Sequence, residues 1–423
     1  MGFQQGLSGL NVSSKNLEVI GNNVANANTY GAKTARAEFA DMYAASLGGS
    51  GSNGVGIGAR VSTVAQQFTQ GNISTTANSL DVAINGRGFF GLLTPEGQYV
   101  YSRNGQFKRD ADGYLVNNER HQLLGRMLDD NGNVVSSQTP IRLTNDTSPP
   151  QPAERITLAL NLKADAPVKS GAVDLDVAST YDFVTSQSVY GDNGVPITVN
   201  YYFRKETAAV AANPSAVPPV AAAGGQWGVY MSANGAPLPS DPPTRVGTLS
   251  FSASGIPTGT TTLTLHDIPG GANGQPLTGV ELDLAGATEY AGNFSVRELS
   301  GGGYAEGNLS DFVIETDGTV KARYTNGQSK AIAQMELTDF RNLNGLQPIG
   351  GNEWKPTQAA GAKVDGVPGS GVFGLLQAGA LEESNVDLTG ELVNMIVAQR
   401  AYQANAQTIK TEDQVLQTLV NLK

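Results

Sequence analysis

Only a few groups in this sequence have the residue types and spacing that catalysis or ligand binding would need. Gly86 to Gly91 matches the G-x-G-x-x-G pattern of dinucleotide-binding loops, but such a loop must open a helix, and hairpin turn signals surround it here. Asp110 and Asp112 resemble the start of a calcium loop, yet His121 stands where the bidentate glutamate is required. Both segments are therefore predicted to be turns between strands.

The remaining candidates for chemistry are isolated groups. The sequence has two histidines and no cysteine, which excludes thiol catalysis, disulfides and cysteine-based or multi-histidine metal sites. Two carboxylate pairs near the C-terminus, Asp387 with Glu391 and Glu412 with Asp413, suit helix capping and a solvated helix face better than acid–base catalysis. We therefore predict no catalytic, cofactor-binding or metal-binding residue and no cofactor, and we do not expect an enzyme.

The composition predicts several β-rich domains. A chain of 423 residues is too long for one hydrophobic core, so two to four domains are expected. Charged residues make up only 15%, and the net charge of −11 argues against nucleic acid or an anionic membrane as partner. No apolar run is long enough to insert into a membrane, and the N-terminus lacks the pattern of a cleavable signal peptide. If the protein is exported, we expect a route without cleavage.

Two terminal helices are predicted to carry the function. Residues 385–423 form an amphipathic pattern whose apolar positions alternate by four and three, and a weaker version occurs at the N-terminus. Such a narrow stripe requires a partner helix, so we expect the ends to pair and to order fully against other copies. The alternative is that both are ordinary core helices of one domain. The predicted assembly seam comprises Phe3, Leu7, Leu10, Leu17, Val24, Leu388, Leu392, Met395, Tyr402, Ile409, Leu416 and Val420.

An asparagine cluster, NNVANANT, follows the N-terminal helix pattern. It is predicted to break that helix and to form a hydrogen-bonded turn, since asparagine side chains bond readily to nearby backbone. A plain helix end with asparagine just beyond it is a compatible alternative. Asn385 or Asp387 is the predicted N-cap of the C-terminal helix. The predicted connector turn consists of Asn22, Asn23, Asn26, Asn28 and Gly31.

Turn signals and the proline distribution predict a nested, multidomain fold: paired N- and C-terminal α-helices in a coiled coil plus two nested all-β domains. Short strand patterns with Asn-Gly and Asp-Gly turns occur before and after a long middle segment that has its own strand patterns. The predicted division is 1–30 with 385–423 for the helical coiled coil, 31–72 with 364–384 for connectors, 73–143 with 286–363 for a first β domain, and 144–285 for an inserted outer β domain.

Several stretches together resemble the rod/hook axial protein family of the bacterial flagellum. They are LSGLNVSSKNLEVIGNNVANANTYGAK (Leu7 to Lys33), DVAINGRGFF (Asp81 to Phe90), GNEWKPT (Gly351 to Thr357) and LEESNVDLTGELVNMIVAQRAYQANAQTIKTEDQVLQTLVNL (Leu381 to Leu422). Within the family the chain is similar in size to hook proteins, since rod proteins lack a large insertion. One departure is Ala32, which follows Gly31 where relatives usually carry an aromatic residue.

The resemblance implies a structural subunit of the flagellar hook, self-assembling into a flexible helical tube that transmits torque from rod to filament as a universal joint. It implies as partners other copies of the chain, rod proteins, the hook cap, hook–filament junction proteins and the flagellar type III export apparatus. It also implies an extracellular location in the hook and basal body. Alternatives are a distal rod or hook–filament junction component and, from another class, a secreted β-rich adhesin that forms a small closed oligomer.

Overall fold

The computed structural model describes residues 2–42, 56–129, 131–136, 138–213, 215, 222–239, 242–270 and 274–421. The chain divides into two compact units, each taken by itself below. The first unit comprises Met1–Asn145, Ser310–Arg323 and Ser329–Lys423, and the second comprises Asp146–Leu309 and Tyr324–Gln328. Two terminal helices and a β-rich body of several sheets confirm the predicted architecture at this level.

The helices are α1, Gly2–Ala25, and α2, Leu388–Asn421. α2 begins directly after Asp387, whose Oδ1 accepts a hydrogen bond from the backbone N–H of Thr389 at 3.1 Å. The backbone carbonyl of Asp387 accepts from the N–H of Glu391 at 2.9 Å. Asp387 is therefore the N-cap, because its side chain satisfies an N–H that has no partner within the helix.

Most strands of the N-terminal part of the first unit are short. Several are buried at consecutive positions and so on both faces, as in Val82–Asn85 and Phe89–Leu93. Ala35–Met42 pairs antiparallel with Gly58–Gln66 as a separate two-stranded sheet. The strands are β1 Ala35–Met42, β2 Gly58–Gln66, β3 Ile73–Thr75, β4 Val82–Asn85, β5 Phe89–Leu93, β6 Tyr99–Ser102, β7 Lys108–Arg109, β8 Leu115–Val116, β9 Gln122–Met127 and β10 Thr139–Pro140. The sequence patterns did not predict β1, since its residues ARAEFADM lack a run of β-branched side chains.

The second unit contains a five-stranded and a six-stranded sheet around one apolar core. Its strands are β11 Arg155–Lys163, β12 Phe183–Tyr190, β13 Pro196–Thr207, β14 Ala223–Ala233, β15 Ala236–Leu238, β16 Gly247–Ser252, β17 Pro257–Thr258, β18 Thr262–Thr264, β19 Glu281–Asp283, β20 Thr288–Tyr290 and β21 Ser295–Ser300. β20 and β21 both pair with β11. The unit therefore continues past residue 285, the predicted end of the inserted domain.

The chain then returns to the first unit. Its strands there are β22 Leu309–Ile314, β23 Thr319–Tyr324, β24 Ser329–Met335, β25 Leu337–Phe340, β26 Leu346–Gly350, β27 Glu353–Pro356, β28 Lys363–Gly366, β29 Leu375–Ala378 and β30 Ala380–Glu382, with 3-10 turns at Leu343–Gly345 and Gln358–Ala360. Most join a thirteen-stranded sheet whose main order is β22-β23-β24-β9-β5-β6-β27-β26. The last two strands pair with β4 and β3, which brings the chain beside the segment that follows β2.

The predicted hairpin turns at Gly97 and Gly113 form, since these glycines join the paired strands β5 and β6, and β7 and β8, with φ values of +79° and +89°. The hairpin predicted at Gly86 does not form, because β4 pairs with β29 and not with β5, although Gly86 has a φ of +123°. The aromatic core of the first unit includes Phe89, which contacts Trp354 edge to face with ring centroids 5.8 Å apart.

Candidate functional site

The two terminal helices run antiparallel and meet through small and polar residues. Asn405 Nδ2 lies 3.3 Å from Ser13 Oγ, and Asn23 Nδ2 lies 3.2 Å from Glu391 Oε1. A Cβ atom added to Gly9 would lie only 2.7 Å from Asn405 Oδ1. The backbone of α1 therefore approaches α2 more closely than a helix carrying larger side chains at this position could.

Among the predicted seam residues, Ile409 lies against α1, since its Cγ1 is 3.0 Å from where a Cβ of Gly6 would be. Val420 lies outside the residues whose side chains are described. Exposed seam residues are Phe3, Leu7, Leu388, Leu392, Tyr402 and Leu416, and half-buried ones are Leu10, Leu17, Val24, Met395 and Ile409. Whether this stripe forms a seam between copies stays a prediction.

The face of α2 that contacts α1 repeats every seven residues at Glu391, Ala398 and Asn405. This face lies beside the leucine-rich stripe, because Glu391 directly precedes Leu392 of that stripe. A search for apolar repeats misses it, because two of its three members are polar and the third is alanine. The seven-residue spacing itself was a usable signal, since it is the period at which paired helices keep one face together.

The asparagines of the predicted connector turn hold backbone from α1 to β1. Asn23 Nδ2 donates to the carbonyl of Ala35 at 2.8 Å, and its Oδ1 accepts from the N–H of Ala35 at 2.9 Å. Asn26 Nδ2 donates to the carbonyl of Asn22 at 2.9 Å, while Asn28 is exposed. Asn23 therefore links α1 to the start of β1 through two hydrogen bonds. Both need a carboxamide, because one uses its N–H group and the other its oxygen.

Gly31 and Asn385 anchor the two connectors to each other. The N–H of Gly31 donates to the carbonyl of Glu382 at 2.8 Å, and Gly31 has a φ of +72°. Asn385 Oδ1 accepts from the N–H of Thr34 at 2.7 Å, and its Nδ2 donates to the carbonyl of Gln67 at 2.8 Å. Asn385 thus ties three chain segments together rather than capping α2, which corrects one of the two capping residues considered from the sequence.

Three buried charged residues, which we call the ion cluster, lie where these connectors join the β strands: Lys33, Arg103 and Glu382. Lys33 Nζ lies 2.6 Å from Glu382 Oε1, and Arg103 Nη1 lies 3.1 Å from Glu382 Oε2. The side chains of Lys33 and Glu382 are fully buried. Burial lowers the pKa of Lys33 and of Arg103 from their usual values, and the Glu382 carboxylate opposes both shifts. No sequence pattern marks this cluster, because its members are far apart in the chain.

The other segments weighed for chemistry form turns or structural contacts. Gly86 and Gly88 have φ values of +123° and +121° and lead into β5, so no helix N-terminus follows the glycine pattern. Asp110 Oδ1 accepts from the N–H of Tyr114 at 2.7 Å, as in a turn. Over the described ranges, no three His, Asp or Glu side chains converge in a way that could hold a metal ion. Neither helix, as far as it is described, combines the length and hydropathy needed to cross a membrane.

Family models match four parts of the chain. They are Flagella basal body rod protein at residues 3–33, Flagellar hook protein FlgE/F/G D1 domain at 83–161, Flagellar basal body protein FlaE D2 domain at 159–304 and Flagellar basal body rod FlgEFG protein C-terminal at 377–422. The helix pair and the ion cluster thus draw their residues chiefly from the stretches that the two terminal models match.

Relatives match over the whole length. The chain is 38% identical over 430 residues to a protein of Salmonella typhimurium named Flagellar hook protein FlgE, with 100% of each chain covered. It is 38% identical over 432 residues to the protein of that name in Escherichia coli, again with 100% of each covered. Among solved structures, the Helicobacter pylori flagellar hook protein FlgE2 matches with a TM-score of 0.51 at 15% identity, covering 72% of this chain and 99% of that one. This structural match concerns the fold alone.

Proposed function

The chain belongs to the flagellar hook protein family and is a structural subunit of the bacterial hook, and from this premise we propose how it assembles. The terminal helices form a coiled coil that makes the same contact with each successive copy. A repeated contact of this kind grows into a tube, because it never closes on itself. The tube then carries torque from rod to filament through a shaft that can bend.

The observation that carries this proposal is the row of apolar side chains that α2 leaves exposed. Leu388, Leu392 and Leu416 are 43%, 45% and 52% exposed in the single chain, although the sequence spaces them as a helix-pairing stripe. Exposed apolar surface of this extent marks a site of association in most proteins. Burying each leucine against a neighbour would contribute about 2 kcal/mol. Other copies of the chain are the partner that fits a stripe repeated along the helix.

Bending requires contacts between copies that can slip. The polar composition of the β units, rich in Gly, Asn, Ser and Thr, suits contacts that water can replace at little cost. The connectors around residues 48–58 and 361–371 would act as hinges, and most of the first lies outside the described residues. In the second, β28 is paired with β25, so bending would be confined to the glycines on either side of it, Gly361, Gly369 and Gly371, whose positive φ values other residues rarely adopt.

Assembly in this family also involves other flagellar components. We propose that the chain leaves the cell through the flagellar type III export apparatus without cleavage and polymerises beneath a hook cap. Rod proteins would contact one end of the tube and hook–filament junction proteins the other. The finished hook would then lie outside the cell, above the basal body.

Polymerisation of a seam variant tests the proposal. Replacing Leu388, Leu392 and Leu416 together by serine should abolish tube formation, because each exposed leucine loses the apolar surface that a neighbouring copy would cover. The single chain should keep its far-ultraviolet circular dichroism spectrum, since these side chains are already exposed. Sedimentation velocity and negative-stain microscopy would measure assembly.

The control replaces three equally exposed valines of the second unit, Val168, Val177 and Val184, by serine. This control should still form tubes. Tubes of normal length from the leucine variant would contradict the proposal, and discrete closed particles from the unmodified chain would instead favour a small oligomer such as that of an adhesin.

A further inference from the structure

Glu382 lies where the chain segments between the helices and the first unit's β strands converge. Its carboxylate accepts hydrogen bonds from Lys33 Nζ at 2.6 Å, the N–H of Gly71 at 2.9 Å and Arg103 Nη1 at 3.1 Å. Its backbone carbonyl accepts from the N–H of Gly31 at 2.8 Å. Glu382 itself lies just before α2. It therefore binds the segment after α1, the segment after β2 and the loop after β6 to the segment that leads into α2.

The two cations of the ion cluster extend these bonds to the backbone. Lys33 Nζ also donates to the carbonyl of Thr69 at 2.8 Å, and Arg103 Nη2 donates to the carbonyl of Gly86 at 2.9 Å. The Arg103 guanidinium lies over the Phe89 ring, 5.3 Å from its centroid. Arg103 is thus fixed to the aromatic core, so the cluster connects both helices to a rigid part of the unit.

The connectors also pass close to neighbouring backbone at two glycines. A Cβ on Gly31 would lie 2.5 Å from the backbone nitrogen of Asn104, and one on Gly71 would lie 2.0 Å from the carbonyl oxygen of Glu383. Buried ion groups of this type contribute little net stability, and their better-attested role is to select one arrangement over others. The ion cluster is therefore better suited to fixing the direction of the terminal helices than to raising the stability of the fold.

We propose that Lys33, Arg103 and Glu382 are positioning residues that fix the direction in which both terminal helices leave the first unit's β strands. Rotation of the helix pair is then passed to the β strands instead of being absorbed in the segments around Gly31, Gly71 and Glu382, which are separate from the proposed hinges. The use of this rigidity in carrying torque rests on the proposed function, whereas the rigidity itself does not.

The test compares Glu382→Gln with Glu383→Gln in the full-length, unassembled protein. The first substitution keeps the side-chain volume and removes the charge between the two cations. The second makes the same change at the next residue, a partly buried glutamate that accepts from Asn72 Nδ2 at 3.1 Å. Hydrogen–deuterium exchange would be followed by mass spectrometry in peptides covering residues 28–36 and 66–74.

We expect Glu382→Gln to speed exchange at least tenfold in both peptides, and Glu383→Gln to leave it within twofold of the unmodified chain. A peptide covering residues 226–233 of the second unit should not change in either variant. Unchanged exchange in Glu382→Gln, or equal acceleration in both variants, would overturn the proposal.

A second measurement reports on the direction of α2 relative to the β strands, independently of local stability. Because the chain has no cysteine, single cysteines at Glu96 and Thr389, both exposed, can be spin-labelled cleanly. The distance distribution between the labels should be narrow in the unmodified chain and in Glu383→Gln, and at least twice as wide in Glu382→Gln. A broad distribution in the unmodified chain, or equal widths in all three, counts against the proposal.

If Glu382→Gln does not fold, Lys33→Met replaces it, since that variant keeps the Arg103–Glu382 pair. It should give an intermediate width, and a width equal to that of the unmodified chain would overturn the proposal. Tube formation is scored separately by negative-stain microscopy. If the unmodified chain forms tubes but gives a broad spin-label distance distribution, the positioning role alone is rejected. If it gives a narrow distance distribution but no tubes, the assembly proposal alone is rejected.

Discussion

Two buried glutamates, one in each unit, bind a cation and a backbone N–H at the same time. In the second unit, Glu289 Oε1 lies 3.1 Å from Lys205 Nζ and accepts from Trp227 Nε1 at 3.1 Å, while Oε2 accepts from the N–H of Gly225 at 2.7 Å. Glu382 has the same arrangement in the first unit. A carboxylate with this many donors stays satisfied without water, so it can hold separate segments together inside a core.

The hydroxyl of Tyr101 should make the first unit sensitive to alkaline pH. Burial raises the pKa of Tyr101 to about 12, with smaller contributions from the nearby Asp365 and Tyr99. The unfolded chain ionises near pH 10, so the folded state is undisturbed below pH 10 and loses stability as the pH rises from 10 through 12. A difference of two pKa units corresponds to about 2 to 3 kcal/mol.

Replacing Tyr101 by phenylalanine should remove that part of the alkaline loss. Urea unfolding at pH 8 and pH 11.5 measures it, and the difference between the two free energies of unfolding should be smaller in Tyr101→Phe. Tyr290→Phe is the matched control, because the Tyr290 side chain is 48% exposed in the second unit. An equal alkaline loss in Tyr101→Phe and the unmodified chain would contradict the prediction.

At the scale of elements, the close approach of α1 to α2 depends on Gly9 and not on every glycine of α1. Valine at Gly9 would collide with the Asn405 carboxamide and break its contact with Ser13, which should destabilise the helix pair by about 1 to 3 kcal/mol. Valine at Gly21, where no atom lies within 4 Å of an added Cβ, should be neutral or slightly stabilising.

Thermal melts followed at 222 nm would compare the two valine variants. Because the substitution is the same and both sites lie in α1, any difference reports on contact with α2. Equal melting of Gly9→Val and Gly21→Val would show that the helices do not pair as described. Adding Asn405→Ala to Gly9→Val should recover part of the lost stability, since it removes the group that the valine displaces.

Elements with local signals could be predicted from the sequence, and their connections could not. The helices follow from unbroken periodicity, and turns such as that at Gly113 follow from a glycine that adopts positive φ. The ion cluster gave no signal, because Lys33 and Glu382 are 349 residues apart and each looks like an ordinary surface charge. The contact face of α2 was missed for a related reason: Asn405 pairs with a small residue, so hydrophobicity does not mark it.

At the scale of the whole molecule, the two units draw on different parts of the chain. Over the described residues, the sheets of the second unit use strands between Arg155 and Ser300, and their core is formed by residues 153–299, Trp227 among them. The helix pair uses only the two ends. Folding of the second unit should therefore survive the loss of an end, whereas polymerisation should not.

Deleting residues 388–423 should give a chain that remains monomeric yet keeps a cooperative transition for the second unit. α2 supplies 34 helical residues and the exposed leucines, so its removal takes away both the partner of α1 and the surface proposed to contact other copies. Deleting residues 2–25 should have the same effect on assembly, because α2 then lacks the helix that orders it. Differential scanning calorimetry would follow the second unit, and light scattering with negative-stain microscopy would follow assembly. Tube growth at a normal rate from either deleted chain would mean that the β units alone build the polymer, and the proposed role of the helices would then be abandoned.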